Sequence, residues 1–327
     1  MKDKTESKPD AGAFYVGIDV SKDKLAVYAG DLFEGEIENN RSAIGRLVRD
    51  LRRKAGRRTV FRFALEETGI YSLDVHLALD RLGQDVCVLD PSSVRHYAIA
   101  CKVMAKTDRI DARVIRSYAE ATACEPTPVP SPTRLALREA IRTRSLLVKF
   151  RVMTQTLAKI VSGTVCRTVL RDVDRFLATK ILKVEQAMLE QVREDSRLND
   201  VVECLAKLPG VGTLTATTVA VLAPELGSLG KRRSAGLVGL APHPRESGRY
   251  KGQRKIGGGR ADLRRALYMP ALVAIQHDET LRTFYKRLVV VRKKKPMVAL
   301  TAVMRKLFAH MDRVVAQLNE TAPKPAS

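Results

Sequence analysis

Short apolar runs alternate with segments of helical spacing over residues 14–123, and this succession limits the folds that the chain can adopt. Short apolar runs predict buried strands, whereas apolar residues three and four apart predict helices. The predicted order is a hairpin of strands at 14–18 and 25–29, a strand at 35–38, a helix at 42–55, a strand at 60–65, a helix at 71–82, a strand at 86–89, and helices at 92–101 and 108–123. These residues therefore predict an α/β domain.

Four acidic residues occupy suggestive places in this order. Asp19 lies at the end of the first apolar run and Glu66 follows the fourth strand, while Asp108 and Asp111 lie three apart on one face of a helix start. Carboxylates gathered in this way repel each other unless a cation lies between them, and Mg²⁺ prefers such hard oxygen ligands. The order of elements is that of a ribonuclease-H-like fold, which would bring the four together. Two metal ions can clamp the attacking and leaving oxygens of a phosphodiester, so the pattern indicates phosphoryl chemistry on nucleic acid.

Plainer roles for the same acids remain open. Asp19 and Glu66 could be turn or cap acids, and Asp108 could cap its helix because it stands at the helix start. Joint placement at strand ends and on one helix face favours metal binding for the set.

The charge balance indicates a polyanionic partner. The chain has 58 Lys and Arg against 36 Asp and Glu, a net charge of +22. A hydrophobic content of 45% is enough to fill real cores, which argues against a disordered basic tail. The five cysteines have no paired spacing, which predicts reduced thiols and no zinc site. No apolar run is long enough to span a membrane, so we expect a cytoplasmic, nucleoid-associated protein without a membrane partner.

A proline-rich segment divides the chain. Residues 124–133 hold four prolines and predict an extended linker. Beyond it, residues 134–198 predict a helical region with long helices at 134–162 and 168–195. Apolar residues of the second helix form a seam near heptad spacing, which fits either an intramolecular hairpin or a dimerising coiled coil. Residues 1–13 and 319–327 are predicted to be disordered tails.

A mostly α-helical C-terminal domain is predicted at 199–318. Its Leu208-Pro-Gly-Val-Gly-Thr213 segment is typical of a helix-hairpin-helix turn, whose amides can hold a DNA phosphate, or of an ordinary helix–helix turn. Clustered cations favour a nucleic-acid surface, although they could be solvated helix faces. The candidates are Arg134, Arg138, Arg142, Arg144, Arg249, Lys251, Arg254, Lys255, Arg260, Arg264, Arg265, Lys293, Lys294 and Lys295.

Six blocks in order carry a family resemblance: GIDVSKDKL, LEETGIY, KTDRIDAR, LPGVG, GLAPHPRESG and LRRALYMPA. They resemble the DEDD-type bacterial insertion-sequence transposases, the "IS one-ten" family, described as bridge-RNA-guided recombinases. The resemblance implies a RuvC-like domain whose tetrad Asp19, Glu66, Asp108 and Asp111 binds Mg²⁺, which Mn²⁺ can replace. It implies that Ser247 is a nucleophile forming a covalent phosphoserine with DNA. It further implies double-stranded donor and target DNA, a structured guide RNA, and a homodimer or homotetramer as partners.

Other functions remain open on the residues alone. A nuclease of the Holliday-junction-resolvase type would use the tetrad with water, and Ser247 would be dispensable. A non-catalytic nucleic-acid-binding protein would keep the fold without the chemistry. A sugar-kinase or actin-like ATPase also opens with G-I-D-x-S, but this chain lacks an obvious second phosphate loop. Without the resemblance, a serine before a glycine in a basic loop is usually an ordinary loop residue.

Overall fold

The computed structural model describes residues 12–56, 58–67, 69–103, 107–244, 246–247, 250–252 and 254–321. The chain divides into two compact units, Met1–Pro130 and Ser131–Ser327. The predicted tails fall mostly outside the described residues, but the last helix continues to Thr321, so residues 319–321 are helical and not part of a tail.

The first unit contains a five-stranded mixed sheet. Its elements are β1 Ala13–Val20, β2 Lys24–Tyr28, β3 Glu34–Glu38, α1 Arg41–Ala55, β4 Val60–Glu66, α2 Ile70–Asp80, β5 Asp85–Leu89, α3 Pro91–Ala100 and α4 Asp108–Ala121. The strand order is β3-β2-β1-β4-β5, with β1 antiparallel to β2 and parallel to β4. The helices α1 and α2 supply the crossovers that parallel neighbours require. The predicted α/β fold is confirmed, and its order agrees with a ribonuclease-H-like domain.

Each face of the sheet carries its own apolar cluster, because successive strand side chains point to opposite faces. Val16, Ile18 and Phe63 are buried in a cluster with residues of α1 and α2. Tyr15 and Ala64 are buried in a second cluster with residues of α3 and α4. The second face is the one that matters for the candidate site.

The proline-rich segment lies against the edge of β5. The backbone N–H of Thr127 donates to the Val86 carbonyl at 2.7 Å, and its hydroxyl accepts from the Val88 N–H at 3.0 Å. The next helix begins at Pro132, with Ser131 as its N-cap. The predicted linker end at Thr133 was wrong by two residues, because proline is well suited to the first helical turn.

The second unit begins with a helical hairpin of α5 Pro132–Ala158 and α6 Thr164–Glu194. Ion pairs join the two helices, from Arg144 Nε to Glu185 Oε1 at 2.6 Å and from Arg151 Nε to Asp174 Oδ1 at 3.0 Å. The two helices therefore pack against each other within one chain. Of the two predicted alternatives, this is the intramolecular hairpin.

The remainder of this unit is mostly helical. Its elements are α7 Ser196–Ala206, α8 Thr213–Leu222, α9 Gly230–Leu237, β6 Pro242–His243, β7 Glu246–Ser247, β8 Tyr250–Lys251, β9 Lys255–Ile256, α10 Ala261–Ala266, α11 Tyr268–His277, α12 Glu279–Lys286, a π-helical turn Arg287–Val291, and α13 Pro296–Thr321. Leu307, Phe308 and Met311 of α13 are buried in its core. No helix in the described ranges is long and apolar enough to cross a membrane.

A buried carboxylate fastens α13 to the segment before α9. Asp312, only 6% exposed, accepts hydrogen bonds from the backbone N–H groups of Gly227 at 2.7 Å, Leu229 at 3.3 Å and Gly230 at 2.9 Å. Three donors on one carboxylate make this contact a structural link, since a buried charge needs such partners.

Candidate active site and nucleic-acid surface

Asp19 and Glu66 lie side by side at the carboxyl ends of two parallel strands. The β1–β4 register pairs Ile18 with Leu65, so the residues that follow, Asp19 and Glu66, are neighbours across the strands. Neighbouring strands lie about 4.8 Å apart. Gly17 and Ala64 lie on the sheet face that packs against α4. Asp19 and Glu66 lie two residues farther along the same strands, so they share that face.

Helix α4 approaches β1 closely at Gly17. A Cβ atom built at Gly17 would lie 2.1 Å from the Ala112 carbonyl oxygen and 2.7 Å from the Arg116 backbone nitrogen. The Arg113 guanidinium lies 5.1 Å from the centre of the Tyr28 ring, and Tyr28 pairs with Gly17, whereas the Arg116 guanidinium reaches the Phe14 ring at 5.0 Å, so the later part of α4 lies toward the start of β1. The helix thus runs antiparallel to the strand, and its first turn lies toward the strand end that carries Asp19.

The spacing along helix and strand brings all four acids to one end of the sheet. Asp108 precedes Ala112 by four residues, about 6 Å along a helix axis. Asp19 follows Gly17 by two residues, about 6.6 Å along a strand. These two advances match, so the first turn of α4 lies level with the end of β1.

Side-chain positions are a separate matter. Among the described residues, no group of three His, Cys, Asp or Glu side chains is placed to hold a metal ion. The backbone thus brings the tetrad to one end of one face, while its carboxylates are not drawn together as ligands. Their chemistry still fits a hard divalent cation, because all four offer carboxylate oxygens.

The cap of α4 is Thr107 and not Asp108. The Thr107 hydroxyl accepts from the Ile110 N–H at 3.3 Å, which is the N-cap hydrogen bond. The T-D-x-x-D segment therefore does cap the helix, with Thr107 as the cap and Asp108 as the first helical residue. Asp108 is exposed and Asp111 is half-buried in the first turn, where the helix dipole favours negative charge.

Gly17 is a residue whose role the sequence interpretation missed. A glycine inside a strand pattern signals a close approach of another backbone. Here the approaching backbone belongs to the helix that carries two of the four acids, so Gly17 helps to position them.

Ser247 lies in the two-residue strand β7. Its backbone pairs with Tyr250 of β8. Its side chain lies outside the described part of the structure, as do residues 245, 248 and 249, so the predicted contact at Arg249 lies there too. The side chain of Lys251 is likewise not described.

Several predicted nucleic-acid contacts are engaged within the fold. The Arg260 guanidinium binds both oxygens of Glu225, at 2.7 and 2.6 Å. Arg264 donates to the carbonyls of Val238 at 3.0 Å and Gly258 at 2.8 Å. Arg265 pairs with Asp262 on the surface.

Helix α5 is likewise a less open basic stripe than the sequence indicates. Arg144 and Arg151 pair with acids of α6. Arg134 donates to the Ala220 carbonyl at 2.9 Å, and burial lowers the pKa of its guanidinium. Within α5 itself the only acid is Glu139, and the opposing acids Glu185 and Asp174 come from α6. The exposed members of the predicted set are Arg142, Arg254, Lys255, Arg265, Lys293, Lys294 and Lys295, and Lys149 of α5 is exposed as well.

The turn between α7 and α8 uses one glycine for packing. Gly210 has φ +81°, and a Cβ there would lie 2.6 Å from the Pro270 carbonyl oxygen and 2.7 Å from the Ala274 nitrogen. Gly210 is therefore needed for the approach of α11. Gly212 is exposed as the N-cap of α8, with no side chain capping that helix start.

Two transposase family models match the chain. A DEDD transposase model matches residues 16–164, which include all four acids. A model described as the IS116/IS110/IS902 transposase family matches residues 202–286, which include Ser247.

Curated relatives extend the comparison. The pilin gene-inverting proteins of Moraxella bovis and Moraxella lacunata are each 25% identical over 318 residues, covering 93% of this chain and 96% of theirs. An insertion element IS900 uncharacterized 42 kDa protein of Mycobacterium paratuberculosis is 35% identical over 120 residues, covering 36% of this chain and 30% of that protein.

Proposed function

Because this chain belongs to the IS116/IS110/IS902 family of transposases, it cuts and rejoins DNA, and we propose how its residues do so. Asp19, Glu66, Asp108 and Asp111 hold Mg²⁺, or Mn²⁺ in its place. Ser247 attacks the scissile phosphodiester. The enzyme acts in the bacterial cytoplasm on nucleoid DNA, joining double-stranded donor and target DNA under the direction of a structured guide RNA.

The observation that carries the metal assignment is the position of α4. Its backbone contacts β1 at Gly17, and its first turn carries Asp108 and Asp111 toward the strand ends that carry Asp19 and Glu66. When bound, a divalent ion neutralises charge on phosphate oxygens. Four carboxylates at one end of one sheet face offer the hard oxygen ligands that Mg²⁺ prefers.

Ser247 supplies the covalent step. Its Oγ forms a bond to phosphorus while the bond from phosphorus to the leaving strand oxygen breaks. The hydroxyl proton passes to a base, and the leaving oxygen is protonated. Rejoining reverses this exchange with a new strand end, so the phosphodiester energy is conserved. The cations around Ser247 in the sequence favour a bound phosphate.

Two surfaces support the proposals of a guide RNA and of an assembly of several copies. The net charge of +22 and the exposed cations Arg142 and Lys149 suit a phosphate backbone. The first part of the α6 seam stays exposed, with Val169 at 55% and Phe176 at 59% exposure, whereas Leu177, Ile181, Met188 and Val192 farther along it are buried. We assign this exposed part of the seam to contact between copies in a dimer or tetramer, because a single chain leaves it in water.

The test is a cleavage assay with Mg²⁺ on DNA that spans an end of the insertion element. Ser247→Ala should remove a covalent protein–DNA adduct on a denaturing gel, and peptide mass spectrometry of the wild-type adduct should place the nucleotide on Ser247. Each alanine variant of the tetrad should lose cleavage while its far-ultraviolet circular dichroism stays unchanged. Glu67→Gln is the matched control, because Glu67 adjoins Glu66 and is exposed.

Two outcomes would contradict the proposal. Cleavage by Ser247→Ala at the wild-type rate, without any adduct, would identify a nuclease that uses water. Full activity of three of the four tetrad variants in Mg²⁺ would overturn the metal site.

A further inference from the structure

The turn between α12 and α13 exposes an apolar patch that the proposed chemistry does not use. Val290 and Val291 are 70% and 71% exposed, and Met297 and Val298 are 57% and 54% exposed. Single exposed apolar residues are ordinary, but four so close together mark a contact surface for another molecule.

A collar of positive charge surrounds this patch. No acidic residue occurs from Thr280 to Met311, whereas nine Lys and Arg residues do. Four of them follow the valines directly as Arg292–Lys295, and all four are exposed. Lys306 and Arg287 add charge at the base of the turn, where they lie 4.8 and 5.6 Å from the centre of the Phe284 ring. The partner is therefore a polyanion that also accepts apolar side chains.

Backbone hydrogen bonds hold the turn in one shape. The Arg292 N–H donates to the Arg287 carbonyl at 3.0 Å and closes the π-helical turn. Lys293 then adopts the left-handed conformation with φ +47°, and the Lys294 N–H donates to the Leu288 carbonyl at 3.0 Å. The left-handed region is disfavoured for a residue with a side chain, and such strain often occurs at functional sites. The valines are thus presented on a preformed projection.

We propose that this turn is a wedge for double-stranded DNA. Arg292–Lys295 hold phosphates, and Val290 and Val291 enter between base pairs and unstack them, which kinks the duplex. Apolar wedges with flanking cations bind and bend DNA in this way. We favour DNA over an anionic lipid surface because the proposed function already places double-stranded DNA against this enzyme. The proposal rests on the proposed function because it takes DNA as the substrate, but it does not involve the tetrad or Ser247.

The experiment measures binding and unstacking by the full-length protein. The probe is duplex DNA from an end of the insertion element, carrying 2-aminopurine, whose fluorescence rises when it unstacks. We compare Val290→Ser/Val291→Ser with Val290→Leu/Val291→Leu, which keeps an apolar tip. Ile99→Ser is the control for losing an exposed apolar side chain elsewhere, since Ile99 is 58% exposed.

The serine variant should bind the duplex about tenfold more weakly, since two apolar side chains lose their burial. It should also lose the fluorescence rise, and it should recover affinity on DNA with a mismatch at the probe, where unstacking is already achieved. The leucine variant and Ile99→Ser should behave as wild type. Lys294→Gln/Lys295→Gln should lower the slope of log affinity against log salt by about 1.8, whereas the serine variant keeps it.

Three results would overturn the wedge. The first is a serine variant that unstacks DNA as well as wild type does. The second is an Ile99→Ser protein that loses as much affinity and fluorescence rise as the serine variant. The third is a serine variant that no longer binds vesicles of anionic phospholipid but still unstacks DNA, which would assign the turn to a membrane. The unstacking assay does not measure cleavage, so a failed wedge leaves the proposed chemistry standing. A wild-type protein that unstacks DNA here but fails the separate cleavage assay would contradict that chemistry alone.

Discussion

Replacing Gly17 by alanine tests the contact that positions the candidate site. The added methyl would lie 2.1 Å from the Ala112 carbonyl oxygen, 2.7 Å from the Arg116 nitrogen and 2.9 Å from its Cβ. Ordinary nonbonded contacts lie at about 3.5 Å, so α4 must move away from β1 by roughly 1 Å. The obstacles are backbone atoms, which cannot rotate aside.

The expected loss of stability follows from overpacking of the contact between α4 and β1, and the expected loss of activity follows from misplacement of the acids on α4. Forcing a methyl group into a close-packed contact destabilises a protein by about 1–3 kcal/mol, and we expect the upper part of this range because two helical backbone atoms are hit. Asp108 and Asp111 move with the helix, and a displacement of about 1 Å in an active site lowers the rate by roughly 100-fold.

The assay has two readouts. Urea unfolding followed by circular dichroism measures stability, and cleavage at a temperature where the variant stays folded measures activity. Gly35→Ala is the matched control, because Gly35 also lies in a strand and its added Cβ would meet only the Phe33 ring, at 3.5 Å. A Gly17→Ala protein as stable and active as wild type would refute the described packing of α4 on β1.

Three further predictions concern other contacts. Asp312→Asn should lower the free energy of unfolding by about 1–3 kcal/mol, because the amide nitrogen that replaces one carboxylate oxygen cannot accept a backbone N–H and leaves a donor such as the Gly230 N–H unpaired. An unchanged melting temperature, with surface Asp262→Asn as the control, would contradict this. Burial acts to raise the pKa of Glu225, but hydrogen bonds from Arg260 outweigh it and the pKa is lowered. A lowered folded-state pKa means that this carboxylate stabilises the protein above its unfolded value of about 4.3 and loses that effect as pH falls through the folded value. Glu225→Gln should therefore destabilise the protein at pH 7 and flatten its loss of stability in acid, as measured by unfolding at a series of pH values. Val169→Ser/Phe176→Ser should shift the protein toward monomer in light scattering, whereas an unchanged mass would remove the α6 seam from the interface.

The regular elements and the strand positions of two acids were predictable because they depend on local periodicity. Apolar alternation identified β1 and β4, and Asp19 and Glu66 follow from where those strands end. The role of Gly17 depends on which helix packs over it, and that is a tertiary fact.

Charge partners were less predictable for the same reason. Arg144 and Arg151 have the spacing of an open basic stripe, yet Glu185 and Asp174 reach them only in the register of the α5–α6 hairpin. Likewise, Gly210 matches a phosphate-binding turn in sequence, while its close approach to Pro270 of α11 appears only in the fold.

The contact of Thr127 with β5 has a consequence for aggregation. An uncovered edge strand presents free amides and carbonyls that pair with other chains. At one edge of this sheet, β3 exposes the charged side chains of Glu34, Glu36 and Glu38, and charged residues on an edge strand discourage pairing with a second copy. At the other edge, Thr127 occupies the Val86 carbonyl and the Val88 amide. A fragment ending at Ala123 would uncover β5, so we expect it to aggregate, whereas one ending at Pro130 keeps the segment that covers this edge and should remain dispersed.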